Sequence, residues 1–196
     1  CYLVSGLGSS ELPDIIQFIL FVVLLIGLSP LLGKYMAKVF MGENHFMKPV
    51  FGWLEKLVYQ TSGVDSNKEM NWKTYLYVVL VFNLFGFLLL FLLQMTQAYL
   101  PLNTEHLPNV SWHLSFNTAA SFITNTNWQS YSGENTLSYL VQMLGLTVQN
   151  FVSAATGIAI LLALIRGLTR KTTELLGNFL VDMTRSVTYL LLPLSI

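Results

Sequence analysis

Between Lys73 and Arg166 the chain runs for 92 residues without a single Lys or Arg. A water-soluble domain needs a charged outer face, so this stretch restricts the fold to one whose solvent is the lipid bilayer. Residues 1–33 also lack Lys and Arg, and only 10% of the 196 residues are charged, against about 25% in an ordinary soluble domain. Ten basic residues balance ten acidic ones. No net charge is left to hold a polyphosphate, which excludes nucleic acid as a partner. Cys1 is the only cysteine, so neither an intramolecular disulfide nor a Cys-based metal site can form. A leading Cys fits the lipidated end of a mature lipoprotein or, as the preferred alternative with no Met ahead of it, a clipped or partial chain. No basic region precedes the first apolar stretch, which therefore does not have the pattern of a signal peptide.

Four segments, 15–40, 75–100, 137–165 and 175–196, approach the length needed to cross roughly 30 Å of hydrocarbon at about 1.5 Å per helical residue. The last is still apolar at Ile196, which suggests continuation. Short loops rich in Lys and Arg stay cytoplasmic. Residues 34–73 and 166–171 therefore lie inside, and the N-terminus and the 101–136 connection outside, an assignment that four crossings satisfy. Residues 46–59 mix aromatic and charged side chains and read as an interfacial segment. Ser66 and Glu69 form a capping box that predicts the second span to start there.

The outer connection is more than a polar loop. Ser111 can cap a helix over 112–123, and 12 residues give roughly 18 Å, half a bilayer, the length of a re-entrant segment. Residues 124–133, Thr-Asn-Thr-Asn-Trp-Gln-Ser-Tyr-Ser-Gly, are hydrogen-bonding and poor helix material. Non-helical backbone at membrane depth is tolerated only inside protein or against a wet cavity. A half-helix entering from outside aims its negative C-terminal end at the bilayer centre, where a cation is favoured. Backbone carbonyls with Thr and Asn oxygens can then replace the water of an alkali ion, and the absence of acidic residues there argues against a divalent cage. His106 and His113 read as interface histidines, since seven residues and no nearby carboxylate pair separate them from a transition-metal site.

The run T-N-T-N-W-Q-S-Y-S-G-E (124–134), with L-G-L-T-V-Q-N-F-V-S-A-A-T-G (144–157) and E-M-N-W-K (69–73), resembles the potassium-binding A subunit of the bacterial Kdp potassium-transporting ATPase. The likeness extends from about Gly63 onward and takes in L-P-L-N (100–103), F-N-T-A (116–119) and L-G-N-F (176–179). It implies an all-α membrane protein of the potassium-channel-like transporter superfamily, built of membrane-helix, pore-loop, membrane-helix repeats and here an incomplete chain. Residues 1–73 would be an extra transmembrane helix with a cytoplasmic interfacial segment. Residues 74–165 would be the first repeat, with pore helix 112–123 and filter 124–133, and 166–196 a cytoplasmic loop and the first helix of the second repeat.

The same resemblance implies that Thr124, Asn125, Thr126, Asn127 and Gln129 form a filter for K⁺, the transported ion. Asn127 departs from the glycine of the other family filters, which gives side chains a share in the site. The partners implied are a catalytic P-type ATPase B subunit and small accessory membrane subunits in a bacterial inner membrane, with loops 41–73 and 166–174 cytoplasmic. The chain has neither G-x-x-x-x-G-K-[ST] nor D-K-T-G, so it is not an enzyme by itself. A stand-alone channel-like K⁺ transporter and a truncated non-transporting fragment are the alternatives.

Several polar residues keep two readings. Gln142, Gln149, Asn150, Ser153 and Thr156 line a vestibule, Gln149 and Asn150 foremost, or hydrogen-bond between helices. Asn83 and Gly86 read as packing rather than ion ligands. Asp182 and Arg185, three apart, suggest an ion pair on one helix face rather than a subunit contact. Glu134 attracts cations or is a solvated rim carboxylate.

Overall fold

The computed structural model describes residues 11–171 and 173–196; Cys1 and the outer placement of the N-terminus lie outside them. The chain divides into two compact units, Cys1–Lys48 and Pro49–Ile196. In the first, α1 (Glu11–Met41) contains Pro30. At about 1.5 Å per residue its 31 residues reach about 46 Å. Its apolar residues, among them Phe18, Phe21, Ile26 and Leu31, are exposed, as expected of a helix whose solvent is lipid.

The second unit starts with α2 (Lys48–Ser62). After it, α3 (Trp72–Met95) is capped by Asn71, whose side chain accepts from the Thr74 amide at 2.9 Å. The helix thus begins later than a capping box at Ser66 requires. The physical reason is long-range. Met70 N donates to Gly177 O at 2.7 Å and Leu176 N donates to Met70 O at 2.9 Å, which holds this backbone extended. Glu69, the other half of the expected box, instead pairs with Arg170 at 2.9 Å.

Beyond a short 3₁₀ turn at Gln97–Tyr99 come α4 (Trp112–Ile123), the single turn α5 (Gly133–Thr136) and a π-helical stretch, Val141–Thr147, that leads into α6 (Val148–Thr169). The last segment is helical from α7 (Phe179–Arg185) through a π stretch, Ser186–Leu191, to α8 (Leu192–Ser195). It starts at Phe179 rather than 175, because Leu175 to Gly177 pair with Met70 and Asn71. Three helices, Pro13–Met41, Trp72–Met95 and Val141–Thr169, are long and apolar enough to cross a membrane.

Within the second unit α3 packs against α4 and α6 against α7. Ala155, Ala159 and Ala163, four apart along α6, are buried and let backbones approach closely. Close van der Waals packing of small residues is what holds helices together in lipid. Tyr75, Val79 and Phe179 close around Ala159 and Ala163, and the Tyr75 hydroxyl donates to Ala159 O at 2.8 Å. Leu90 meets Ala119 and Phe122 of α4 in a second cluster.

Candidate functional site: the turn after the half-helix

The half-helix α4 covers Trp112–Ile123, the expected bounds, with Ser111 at its N-cap. The Ser111 side chain makes no cap hydrogen bond; its carbonyl accepts from Ser115 N at 2.9 Å. Ala119 and Phe122 are fully buried against α3, which fixes where the C-terminal end of α4 points.

Past Ile123 the chain makes a compact turn organised by Ser121. The amides of Thr126 and Asn127 both donate to Ser121 O, at 3.0 and 3.3 Å, while Thr124 N reaches Ala120 O and Asn125 N reaches Phe122 O. The Trp128 amide donates to Ser121 Oγ at 2.5 Å. Thr126 Oγ1 also donates to Ser121 O at 3.1 Å and lies 3.1 Å from Thr124 Oγ1.

Five successive amides, 124 to 128, are therefore turned back on the last turn of α4. Among the described residues none donates to a carbonyl oxygen of Asn125, Thr126, Asn127 or Trp128. Those carbonyls, with the Asn and Thr side-chain oxygens, are the acceptors left over. Asn125 and Asn127 hold φ of 56° and 54°. This left-handed region is open mainly to Gly and to Asn or Asp, so the two asparagines supply the reversals that glycine would otherwise supply.

The other candidate residues are placed unequally. Thr124, Asn125, Thr126, Asn127 and Gln129 all lie together on the exposed turn. Ser153 of α6 donates to Asn125 Oδ1 at 3.2 Å, tying the turn to the following helix. Asn150 is exposed on α6, whereas Gln149 is buried. Gln149 sits against Gly86: a Cβ there would stand 3.0 Å from Gln149 Oε1 and 3.1 Å from Ile123 Cδ1. Gly86 is thus the point of close approach between α3, α4 and α6. Gln142 bonds Gly133 O and Leu137 O, and Thr156 and Asn83 bond carbonyls of their own helices.

The expected Asp182–Arg185 pair is not formed. Asp182, 2% exposed, receives both Nη atoms of Arg166, one at 2.9 Å, and Arg185 pairs with Glu55 of α2 at 3.0 Å. Burial and geometry favour partners on other elements over a neighbour on the same turn. Glu55 further accepts from Tyr59 at 2.8 Å and Tyr189 at 2.6 Å. Burial pushes its carboxyl up, but the donors Tyr189, Arg185 and Tyr59 outweigh that and hold it below the usual carboxylate range. Burial, then the Glu55 charge, pushes the Tyr59 hydroxyl up.

Sequence reasoning also missed Ser121, whose hub role depends on the fold of the turn, and Gln97. Gln97 is fully buried and donates to Pro108 O and Thr136 O while accepting from Ser138 N. Only long-range pairing identifies it; no local pattern does.

Residues 19–196 match the family profile of the potassium-transporting ATPase A subunit, KdpA. The chain belongs to the KdpA family. Members similar to it, each named potassium-transporting ATPase potassium-binding subunit, come from Hydrogenobaculum sp. (55% identical over 93% of this chain), Sorangium cellulosum (58% over 92%) and Pseudomonas syringae pv. tomato (54% over 93%). The chain spans about a third of the length of these KdpA relatives, 31–32%. Family membership accords with an all-α membrane protein and places the half-helix and its polar turn inside the matched region.

Proposed function

We propose that this chain is the N-terminal part of a potassium-binding, potassium-translocating subunit, and that Thr124, Asn125, Thr126, Asn127 and Gln129 are one quarter of its filter. The observation that carries this is the turning of five amides onto the end of α4. Donors are consumed on the helix side, and acceptors are left at the partially negative end of the half-helix. Neutral oxygens in that position compensate a dehydrated monovalent cation without holding it too tightly to leave. The names of the KdpA relatives support K⁺ as the transported ion and a potassium-transporting ATPase as the assembly.

In this proposal residues 1–73 are an extra helix and interfacial segment, 74–165 the first membrane-pore-membrane repeat, and 166–196 the opening of the second. The protein crosses a bacterial inner membrane several times with the N-terminus and 101–136 outside and residues 41–73 and 166–174 cytoplasmic. It is non-catalytic, passing K⁺ to an ATP-hydrolysing B subunit, with small accessory membrane subunits alongside. Asn150 borders the vestibule, and Gln149, buried at Gly86, holds helices together. In the complete subunit, Gln129→Arg sets a cation beside the ion path and is expected to raise the external K⁺ needed for half-maximal uptake by at least about tenfold. Unchanged uptake at low external K⁺ removes Gln129 from the site.

A further inference from the structure

Of the 92 residues between Lys73 and Arg166, only Glu105 and Glu134 carry a formal charge at neutral pH, and both are negative. They are 29 positions apart in sequence, yet both line one cavity of about 140 Å³ between the outer loop and the residues that open the third long helix. Bringing like charges together is unfavourable without a countercharge, and among the described residues neither glutamate is in an ion pair. His106 is the nearest titratable neighbour in sequence.

The rest of the wall is oxygen-rich. Ser138 is 3% exposed and its Oγ, facing this cavity, has no hydrogen-bond partner among the described residues. Its amide is already held by Gln97 Oε1 at 3.1 Å. Gln142 spends its Nε2 on Gly133 O and Leu137 O, so Oε1 is the polar atom it keeps for the cavity. Glu134 is positioned by Ser132 Oγ, which donates to Oε2 at 2.6 Å; its other oxygen remains available. A buried hydroxyl without a partner costs about 1–3 kcal/mol unless something else satisfies it.

We propose that this cavity binds a divalent cation of the Ca²⁺ or Mg²⁺ kind, with Glu105 and Glu134 as its charged ligands and Ser138 Oγ as a neutral one. Two carboxylates neutralise a divalent ion, and an all-oxygen set suits a hard cation rather than a transition metal. At about 30 Å³ per water the volume also admits several waters to complete the shell. The bound ion fastens the 102–107 loop to the start of the third long helix, next to the Gln97 hub. It is a site apart from the neutral filter turn at 124–129.

Tyr139 lines the same cavity and is a built-in antenna for terbium. In the complete subunit within its assembled complex, Tb³⁺ luminescence excited through tyrosine is expected to appear on titration and to be displaced by Ca²⁺. Glu105→Gln and Glu134→Gln should each weaken Tb³⁺ binding by about tenfold or more. Glu174→Gln, remote from the cavity, should leave it unchanged, and Tyr139→Phe should cut the emission without moving the midpoint. A midpoint indifferent to both glutamate substitutions overturns the proposal, as does displacement of Tb³⁺ by millimolar K⁺ as readily as by Ca²⁺. If a glutamate variant fails to assemble, undiminished emission from Tyr139→Phe places the ion elsewhere and overturns it alone. Terbium emission reports on this cavity and K⁺ affinity on the filter, so the two proposals fail separately.

Discussion

The Arg166–Asp182 clamp makes the sharpest energetic prediction. Asp182 is 2% exposed and Arg166 17%, and the guanidinium also donates to Leu176 O at 2.9 Å. Gly177, at φ 95°, passes so close that a side chain there would collide with Arg166. Asp182→Ala removes both carboxylate oxygens and leaves the guanidinium with one carbonyl for company. Breaking such a pair from one side costs about 3–5 kcal/mol, because the surviving charge is stranded where water cannot reach it. Replacing both residues, as in Arg166→Met with Asp182→Leu, removes that penalty along with the attraction. The double variant should therefore lose at least about 2 kcal/mol less than the two single variants summed. Unfolding of the complete subunit in mixed micelles, read across the four members of the cycle, measures this. A cost below about 1 kcal/mol for Asp182→Ala, or strict additivity, refutes the reasoning.

Two further outcomes concern the turn and the interfacial helix. Ser121→Ala removes the acceptor of the Trp128 amide and should weaken K⁺ binding by about 5-fold or more, from the roughly 1–3 kcal/mol cost of an unpaired donor; equal K⁺ titrations for variant and parent count against Ser121 as the hub. Glu55 is held below the usual carboxylate range, so its stabilising link between α2 and the last helix is complete above about pH 4.5 and is lost as pH falls through the lower folded value. Trp53 on α2 can follow this by fluorescence, and Glu55→Gln should remove the acid transition, whereas identical acid profiles contradict it.

How far the sequence could be read depended on whether the deciding contact was local. The bounds of α4 follow from Ser111 and an apolar run of half-bilayer length, and the structure keeps them. The start of α3 does not follow locally. Ser66 and Glu69 satisfy a capping rule, but pairing of Met70 with Leu176 and Gly177, more than a hundred residues on, overrides it. Asp182 and Arg185 failed for the same reason, since each finds a better-buried partner on another element. The left-handed Asn125 and Asn127 carried a readable signal, because asparagine is the side chain that most readily replaces glycine there. Ser121, Gln97 and the meeting of Glu105 with Glu134 have no local signature. They arise from chain reversals that bring distant residues to one place.

The most direct test is potassium protection at Thr126. In the complete subunit with Cys1→Ser, a Thr126→Cys substitution offers a thiol at the turn. Its labelling by a small charged reagent should slow severalfold as external K⁺ rises through the binding range, with Na⁺ ineffective. Labelling as fast as that of a cysteine on an aqueous tail, with no response to K⁺, would contradict an ion held by the oxygens of this turn.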